Sequence, residues 1–336
     1  MQPYLVSGGA GFIGSNFIPY FLENNTDVHL VNIDSLTYAG NLNHLAEVNG
    51  NPRYTFVKGD ICDRELVSSL FEKYNFQGVL HFAAESHVDN SIKKPDTFIR
   101  TNVFGTFTLL DVAKNHWMEN LNTCKSEFSE ARFLHVSTDE VYGTLGETGV
   151  FTEETPYAPN SPYSASKASS DFMVRSYFHT YGMNVVTTNC SNNYGPKQHD
   201  EKLIPTIIRK AINGEDIPIY GDGKNIRDWL YVLDHCKGID LVFKHGTPGE
   251  TYNIGGSNER NNLYIANTIC KLLDQKKPKE TSYREQISFV TDRPGHDFRY
   301  AIDATKLEEN LGWKADENFE SGILKTIEWY LQKYQE

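Results

Sequence analysis

Short apolar runs alternate with longer amphipathic stretches through the first half of the chain. Residues 4–7, 28–33, 54–58, 79–83, 133–137 and 185–189 are compact runs dominated by Val, Ile, Leu and aromatic side chains. Such runs are the pattern of strands buried on both faces. Residues 12–23, 64–74 and 98–113 carry their apolar positions at helical spacing. Strand followed by helix, repeated, predicts βαβ units. The fold class is therefore α/β, a doubly wound parallel sheet with helices on both faces. After residue 189 the rhythm changes, with Gly, Pro and Asn frequent at 192–197 and 220–225 and helical patterns at 204–213, 262–273 and 319–334. We read residues 1–190 as the larger unit and 191–336 as a smaller, mixed α/β unit. The strand-then-helix pattern within 226–255 is expected to return to the first unit. No Pro/Ser-rich linker separates the two, so they should pack tightly around a cleft.

The first strand runs directly into Gly8-Gly9-Ala10-Gly11-Phe12-Ile13-Gly14. Glycines at 8, 11 and 14 let the chain turn sharply and a pyrophosphate approach the backbone. The helix that follows offers free N–H groups and the positive end of its dipole. Asp34 closes the second strand, where a dinucleotide-binding (Rossmann) unit places a carboxylate for the ribose hydroxyls. A carboxylate there repels a 2′-phosphate, which favours NAD over NADP. Asp60, after the third strand, is placed to meet the adenine.

The formal net charge of −12 argues against nucleic acid or an anionic membrane as partner. It leaves room for a phosphorylated ligand, for which backbone amides and a few arginines suffice. Five cysteines without a C-x-x-C pair read as reduced thiols of a cytoplasmic protein. The start of the chain has no basic stretch and the apolar runs are short, so neither a signal peptide nor a membrane span is expected. No spacing of His, Cys and Asp suggests a metal site, and no nucleophile elbow is present.

Tyr163-Ser164-Ala165-Ser166-Lys167 follows the turn Pro159-Asn160-Ser161-Pro162. On a helix Tyr163 and Lys167 share a face. A nearby ammonium, with the positive nicotinamide ring, should favour the phenolate and make Tyr163 a base.

Together these segments resemble the extended short-chain dehydrogenase/reductase family over nearly the whole chain. The likeness extends to His81-Phe82-Ala83-Ala84, Asn102, Ser137-Thr138, Asn192-Asn193-Tyr194-Gly195-Pro196 and Arg227-Asp228-Trp229. Within that family Thr138-Asp139-Glu140, Ala83-Ala84-Glu85-Ser86-His87-Val88-Asp89, Glu201-Lys202-Leu203-Ile204-Pro205 and Asp292-Arg293-Pro294-Gly295-His296-Asp297 are similar to the dTDP-glucose 4,6-dehydratases. The resemblance implies NAD as cofactor, with contacts from Gly8, Gly11, Phe12, Ile13, Gly14, Asp34, Asp60, Ile61, Ala83, Ala84, Asn102, Tyr163 and Lys167. It implies a nucleotide sugar held by Ser86, His87, Asn192, Glu201, Lys202 and Leu203 at the sugar and diphosphate. Pro218, Tyr220, Arg227, Asn262, Arg293 and His296 would line the nucleotide side. Catalysis would fall to Thr138, Asp139, Glu140, Tyr163 and Lys167, and the protein would be a homodimer through helices of the first unit. Two departures stand out. Lys197-Gln198-His199-Asp200 replaces the aromatic-proline segment common before Glu-Lys-Leu, and the chain stops at Glu336 where longer members continue. A 4-epimerase or decarboxylase on a UDP-sugar, or a non-enzymatic NAD sensor, remains the alternative on the same fold.

Overall fold

The computed structural model describes residues 1–292 and 295–334. The chain begins β1 (Gln2–Ser7), α1 (Phe12–Asn24), β2 (Val28–Asp34), β3 (Tyr54–Lys58), α2 (Arg64–Tyr74), β4 (Gly78–His81), α3 (Val88–Lys93), α4 (Pro95–Phe98) and α5 (Thr106–Trp117). A small hairpin, β5 (Met118–Asn120) and β6 (Thr123–Cys124), leads to β7 (Arg132–Thr138), α6 (Pro162–Tyr181), β8 (Val185–Cys190) and β9 (Asn192–Tyr194). The remainder is α7 (Leu203–Asn213), β10 (Ile217–Tyr220), β11 (Ile226–Tyr231), α8 (Val232–His245), β12 (Thr251–Ile254), β13 (Glu259–Asn261), α9 (Asn262–Lys276), β14 (Ile287–Val290), α10 (Thr305–Leu311) and α11 (Phe319–Lys333).

The central sheet has the order β12-β8-β7-β4-β1-β2-β3, and every pairing in it is parallel. From β1 the chain builds outward through β2 and β3, then crosses back to β4 and builds outward the other way. The switch point between β1 and β4 opens a crevice at the carboxyl ends of the strands, where such folds bind ligands. One core, with Phe17, Phe21, Leu134 and Val242, covers one face of the sheet; another, with Phe71, Val79, Leu110 and Trp117, covers the other. A third holds the smaller lobe through Ile207, Ile269, Ile323 and Ile327, all fully buried. Each such side chain contributes roughly 1.5–3 kcal/mol relative to exposure.

Within the stretch 226–255, α8 packs on α1, β7 and β8, and β12 extends the central sheet beyond β8. β11 instead forms a mixed three-stranded sheet with β9 and β13. The helix expected over 98–113 is not one regular helix. Between α4 and α5 it widens into a π-helical turn, Ile99–Gly105. The Asn102 carbonyl accepts from both Thr106 Oγ1 and Ser170 Oγ, each at 2.6 Å. Two hydroxyls on one carbonyl draw it off the regular ladder, and such turns recur at functional sites.

Candidate active site

A cavity of about 500 Å³ lies at the carboxyl ends of β1, β2, β4 and β7. Its wall begins at the glycine turn. Gly8 has φ +75°, and a Cβ there would sit 2.6 Å from the Ala83 backbone. Only glycine lets the turn pass this close to the segment after β4. Asp34 is held by its two oxygens, which accept from the Ala10 and Leu36 amides at 2.9 and 2.8 Å. Burial raises its carboxyl, and the two amides oppose that shift. Gly8, Gly11, Phe12, Ile13, Gly14, Asp34, Asp60, Ile61, Ala83 and Ala84 all line this cavity. Asp60 caps the turn toward Cys62 (2.8 Å) and lies 3.9 Å from Arg100.

The far end is built by β7 and the first turns of α6. Helix α6 starts at a capping box in which Ser161 and Ser164 exchange hydrogen bonds, with Pro162 in its first turn. That start directs Tyr163 and Lys167 to the end of β7, where Thr138, Asp139 and Glu140 complete the wall. Asp139 is 1% exposed and its Oδ2 has no hydrogen-bond partner. Burial first, then the charges of Glu140 and Asp228, push its carboxyl well above the usual range, against the pull of Arg227. Asp139 is therefore shifted toward its protonated form, beside a second carboxyl.

Burial, then Glu140, push the Tyr163 phenol well above the ordinary value, while a hydrogen bond with Thr138 lowers it. The Lys167 ammonium donates to the Val136 carbonyl at 2.9 Å and lies 3.3 Å from His135 Nε2. Burial is the largest of the influences on the Tyr163 phenol. Burial brings Lys167 itself down to about 8, with the Asp171 charge opposing the fall.

Of the residues expected to hold a sugar diphosphate, Ser86, Asn192, Glu201 and Lys202 line the same cavity. Lys202 donates to the Ser86 carbonyl at 2.8 Å, and Tyr38 donates to Glu201 at 3.3 Å. His87 caps α3 through Asn90 N (3.3 Å) and lies 3.9 Å from Glu201. Leu203 opens α7 and packs on the third core. Asn102 is buried away from the cavity wall, its amide paired with both backbone groups of Glu85 and with Ser166. It braces the loop that carries Ala84 and Ser86.

A second group lies on the smaller lobe. Tyr220 and Pro218 sit on β10, the Tyr220 ring 6.2 Å from that of His296, whose Nδ1 is 2.7 Å from Asp292. Asn262 begins α9, with its amide donating to the Asn225 carbonyl at 3.1 Å. Arg227 is 6% exposed. Its guanidinium donates to the Ile226, Asp297 and Phe298 carbonyls and lies 4.3 Å over the Tyr300 ring. The guanidinium of Arg227, expected on the nucleotide side, is in this structure engaged with backbone, and its charge is felt at Asp139. Arg293 lies outside the described residues. Sequence reasoning missed Arg100 and Cys190 on the wall, and His135 and Asp171 behind Lys167. Asp171 carried a signal, since it follows Lys167 by the same four residues that separate Lys167 from Tyr163. Among the described residues no group of three or more His, Cys, Asp or Glu side chains could hold a metal ion.

A parallel sheet with a glycine turn at its switch point, facing a Thr-Tyr-Lys centre, defines a dinucleotide-dependent enzyme of the extended short-chain dehydrogenase/reductase type. Residues 5–326 match the family model described as GDP-mannose 4,6 dehydratase, and the chain belongs to that family. It is 57% identical over 333 residues to a dTDP-glucose 4,6-dehydratase of Xanthomonas campestris pv. campestris (strain B100), covering 98% of this chain and 93% of the relative. Solved structures agree. A dTDP-glucose 4,6-dehydratase of Bacillus anthracis in complex with NAD has TM-score 0.87 at 45% identity, covering 100% of this chain and 98% of that one. One of Streptomyces venezuelae, also with NAD bound, has TM-score 0.90 at 42% identity, covering 99% and 98%.

Proposed function

We propose that this protein converts dTDP-glucose to dTDP-4-keto-6-deoxyglucose and water with NAD as its cofactor. The observation that carries the reading is the pair at the end of β7: a buried Asp139, its carboxyl pushed toward the protonated form, next to Glu140, both beside Tyr163. An epimerase needs a single group at the C-4 oxygen. Elimination needs a base and an acid together, held in different protonation states.

The residues fit NAD. The turn admits no Cβ at Gly14 without a 2.6 Å contact with the Gly8 carbonyl, so its amides and the α1 N-terminus stay open to the pyrophosphate. Asp34 takes the ribose hydroxyls, and Asp60 and Ile61 flank the adenine. When bound, NAD accepts hydride from C-4 and returns it to C-6, so it is regenerated each turnover. Tyr163 removes the C-4 hydroxyl proton and Thr138 holds that oxygen. The resulting ketone acidifies C-5. Glu140 takes the C-5 proton while Asp139 gives its proton to the C-6 hydroxyl, which leaves as water. Ser86, Asn192, Glu201 and Lys202 hold the sugar and diphosphate; Pro218, Tyr220, Asn262, Arg293 and His296 take the nucleotide.

No described helix is long and apolar enough to cross a membrane, and five free thiols suit a reducing cytoplasm. Ile92, Ile99, Phe104 and Phe172 are large apolar side chains, each 45% exposed or more. They stand on α3, the π turn and α6, and support a homodimer formed through this side of the larger unit. The test is incubation of purified protein with dTDP-, UDP-, CDP- and GDP-glucose, with mass detection of the product. Loss of one water from the dTDP sugar supports the reading, and turnover without mass change points to an epimerase.

A further inference from the structure

A line of buried polar groups continues behind Lys167. Asp171 lies one turn further along α6 and His135 faces both from β7. His135 Nε2 is 3.1 Å from Asp171 Oδ1 and 3.3 Å from Lys167 Nζ. Ser137 Oγ donates to the other Asp171 oxygen at 2.8 Å. His135 is 0% and Asp171 4% exposed, and neither belongs to the cavity wall. Phosphate binding, sugar binding and the proton steps above use none of the three residues His135, Ser137 and Asp171.

The geometry sets a constraint. An ammonium can only donate and a carboxylate can only accept. One imidazole nitrogen lies against both, while His135 Nδ1 has no partner. Protons on Lys167, His135 and Asp171 therefore cannot be placed independently. We infer that Asp171, acting through and alongside His135, is a positioning residue that keeps the Lys167 ammonium charged and fixes its direction between α6 and β7. A buried lysine needs such a partner, since desolvation alone drives it toward the neutral amine.

The electrostatics agree. The Asp171 charge raises Lys167 against burial, and the Lys167 charge lowers Asp171, which burial pushes up to about 6. Other titratable groups face the cluster. The His81 ring is 5.2 Å from His135, and both imidazoles are held neutral, their pKa pushed far down by burial. Cys190 acts on Lys167 from β8, and Tyr157 bonds to Asp171 while Tyr142 feels its charge. Of these, Asp171 is the one whose charge holds Lys167 up most strongly.

The inference rests on Lys167 being the cationic partner of Tyr163. Its test reads the lysine directly, so failure here is distinguishable from failure to turn over a nucleotide sugar. Protein as purified, labelled with 13C at lysine Cε, is titrated by NMR, and the Lys167 signal is assigned by its loss in Lys167→Met. In Asp171→Asn the Lys167 midpoint is expected to fall by about one unit or more, the usual effect of one close opposite charge. The alkaline limb of kcat moves down with it. The amide can still accept from Ser137, so the melting temperature should stay near wild type. A folded Asp171→Asn protein whose Lys167 titrates at the wild-type pH overturns the inference. If Asp171→Asn does not fold, the reciprocal measurement serves. With the lysine charge removed, Lys167→Met should raise the Asp171 midpoint, and an unchanged Asp171 overturns the inference equally.

Discussion

Gly14→Ala isolates the role of the turn from the chemistry beyond it. A Cβ at Gly14 would lie 2.6 Å from the Gly8 carbonyl oxygen, 2.6 Å from Gly9 Cα and 3.1 Å from Gly9 C. These are backbone atoms of the turn, so relief requires the loop or the start of α1 to shift by several tenths of an ångström. Overpacking of this kind costs typically ~1–3 kcal/mol. In the account above the displaced amides are those that receive the pyrophosphate, so much of that energy should appear as lost affinity. The expected loss is roughly 5- to 150-fold in the Kd for NAD. Gly146→Ala is the control, because a Cβ there meets nothing within 4 Å and its φ is not positive. Calorimetric titration of cofactor-stripped protein, with melting temperature read alongside, makes the measurement. A folded Gly14→Ala protein that binds NAD as tightly as wild type would refute the assignment of this turn to the cofactor.

Asp34→Ala should weaken NAD and relax discrimination against NADP, read as the ratio of the two Kd values; an unchanged ratio would show that the ribose contact lies elsewhere. Asp139→Asn should slow water loss while C-4 oxidation persists, seen as bound NADH without dehydrated product. The same variant tests the buried acid through stability. The Asp139 carboxyl is raised well above its usual range in the folded protein, so its contribution is full below that range and is lost as pH rises through the raised value. The melting temperature of Asp139→Asn should therefore gain on wild type as pH climbs from 4 toward 8 (roughly, the span above the ordinary carboxylate value), and a difference constant over that span would sink the idea.

The parts of the fold legible in the sequence were those in which local pattern and tertiary role coincide. The runs at 28–33 and 133–137 are buried on both faces and read as strands. β12 (Thr251–Ile254) is as buried, yet it is short and follows a Gly-containing loop, and only its pairing with β8 identifies it. β9, β11 and β13 belong to a sheet whose register depends on contacts between segments far apart in sequence. The π turn arose from Ser170 reaching Asn102 across 68 residues, which no local window contains. In the site, the glycine turn, Asp34, Tyr163 and Lys167 followed from spacing and chemistry. The upward shift of the Asp139 carboxyl did not, because it depends on burial and on Asp228 and Arg227, all brought in by the fold. Spacing likewise reveals a neighbouring lysine and not the desolvation of the phenol.

The most direct test of the central claim is the reaction of purified protein with dTDP-glucose in deuterated water, followed by mass spectrometry and proton NMR of the product. The account predicts a 4-keto-6-deoxy sugar formed by loss of one water, with one deuterium from solvent in place of the C-5 hydrogen and no net NADH. A dTDP-hexose of unchanged formula with C-5 unlabelled would contradict it, and would leave Asp139 and Glu140 without the elimination assigned to them.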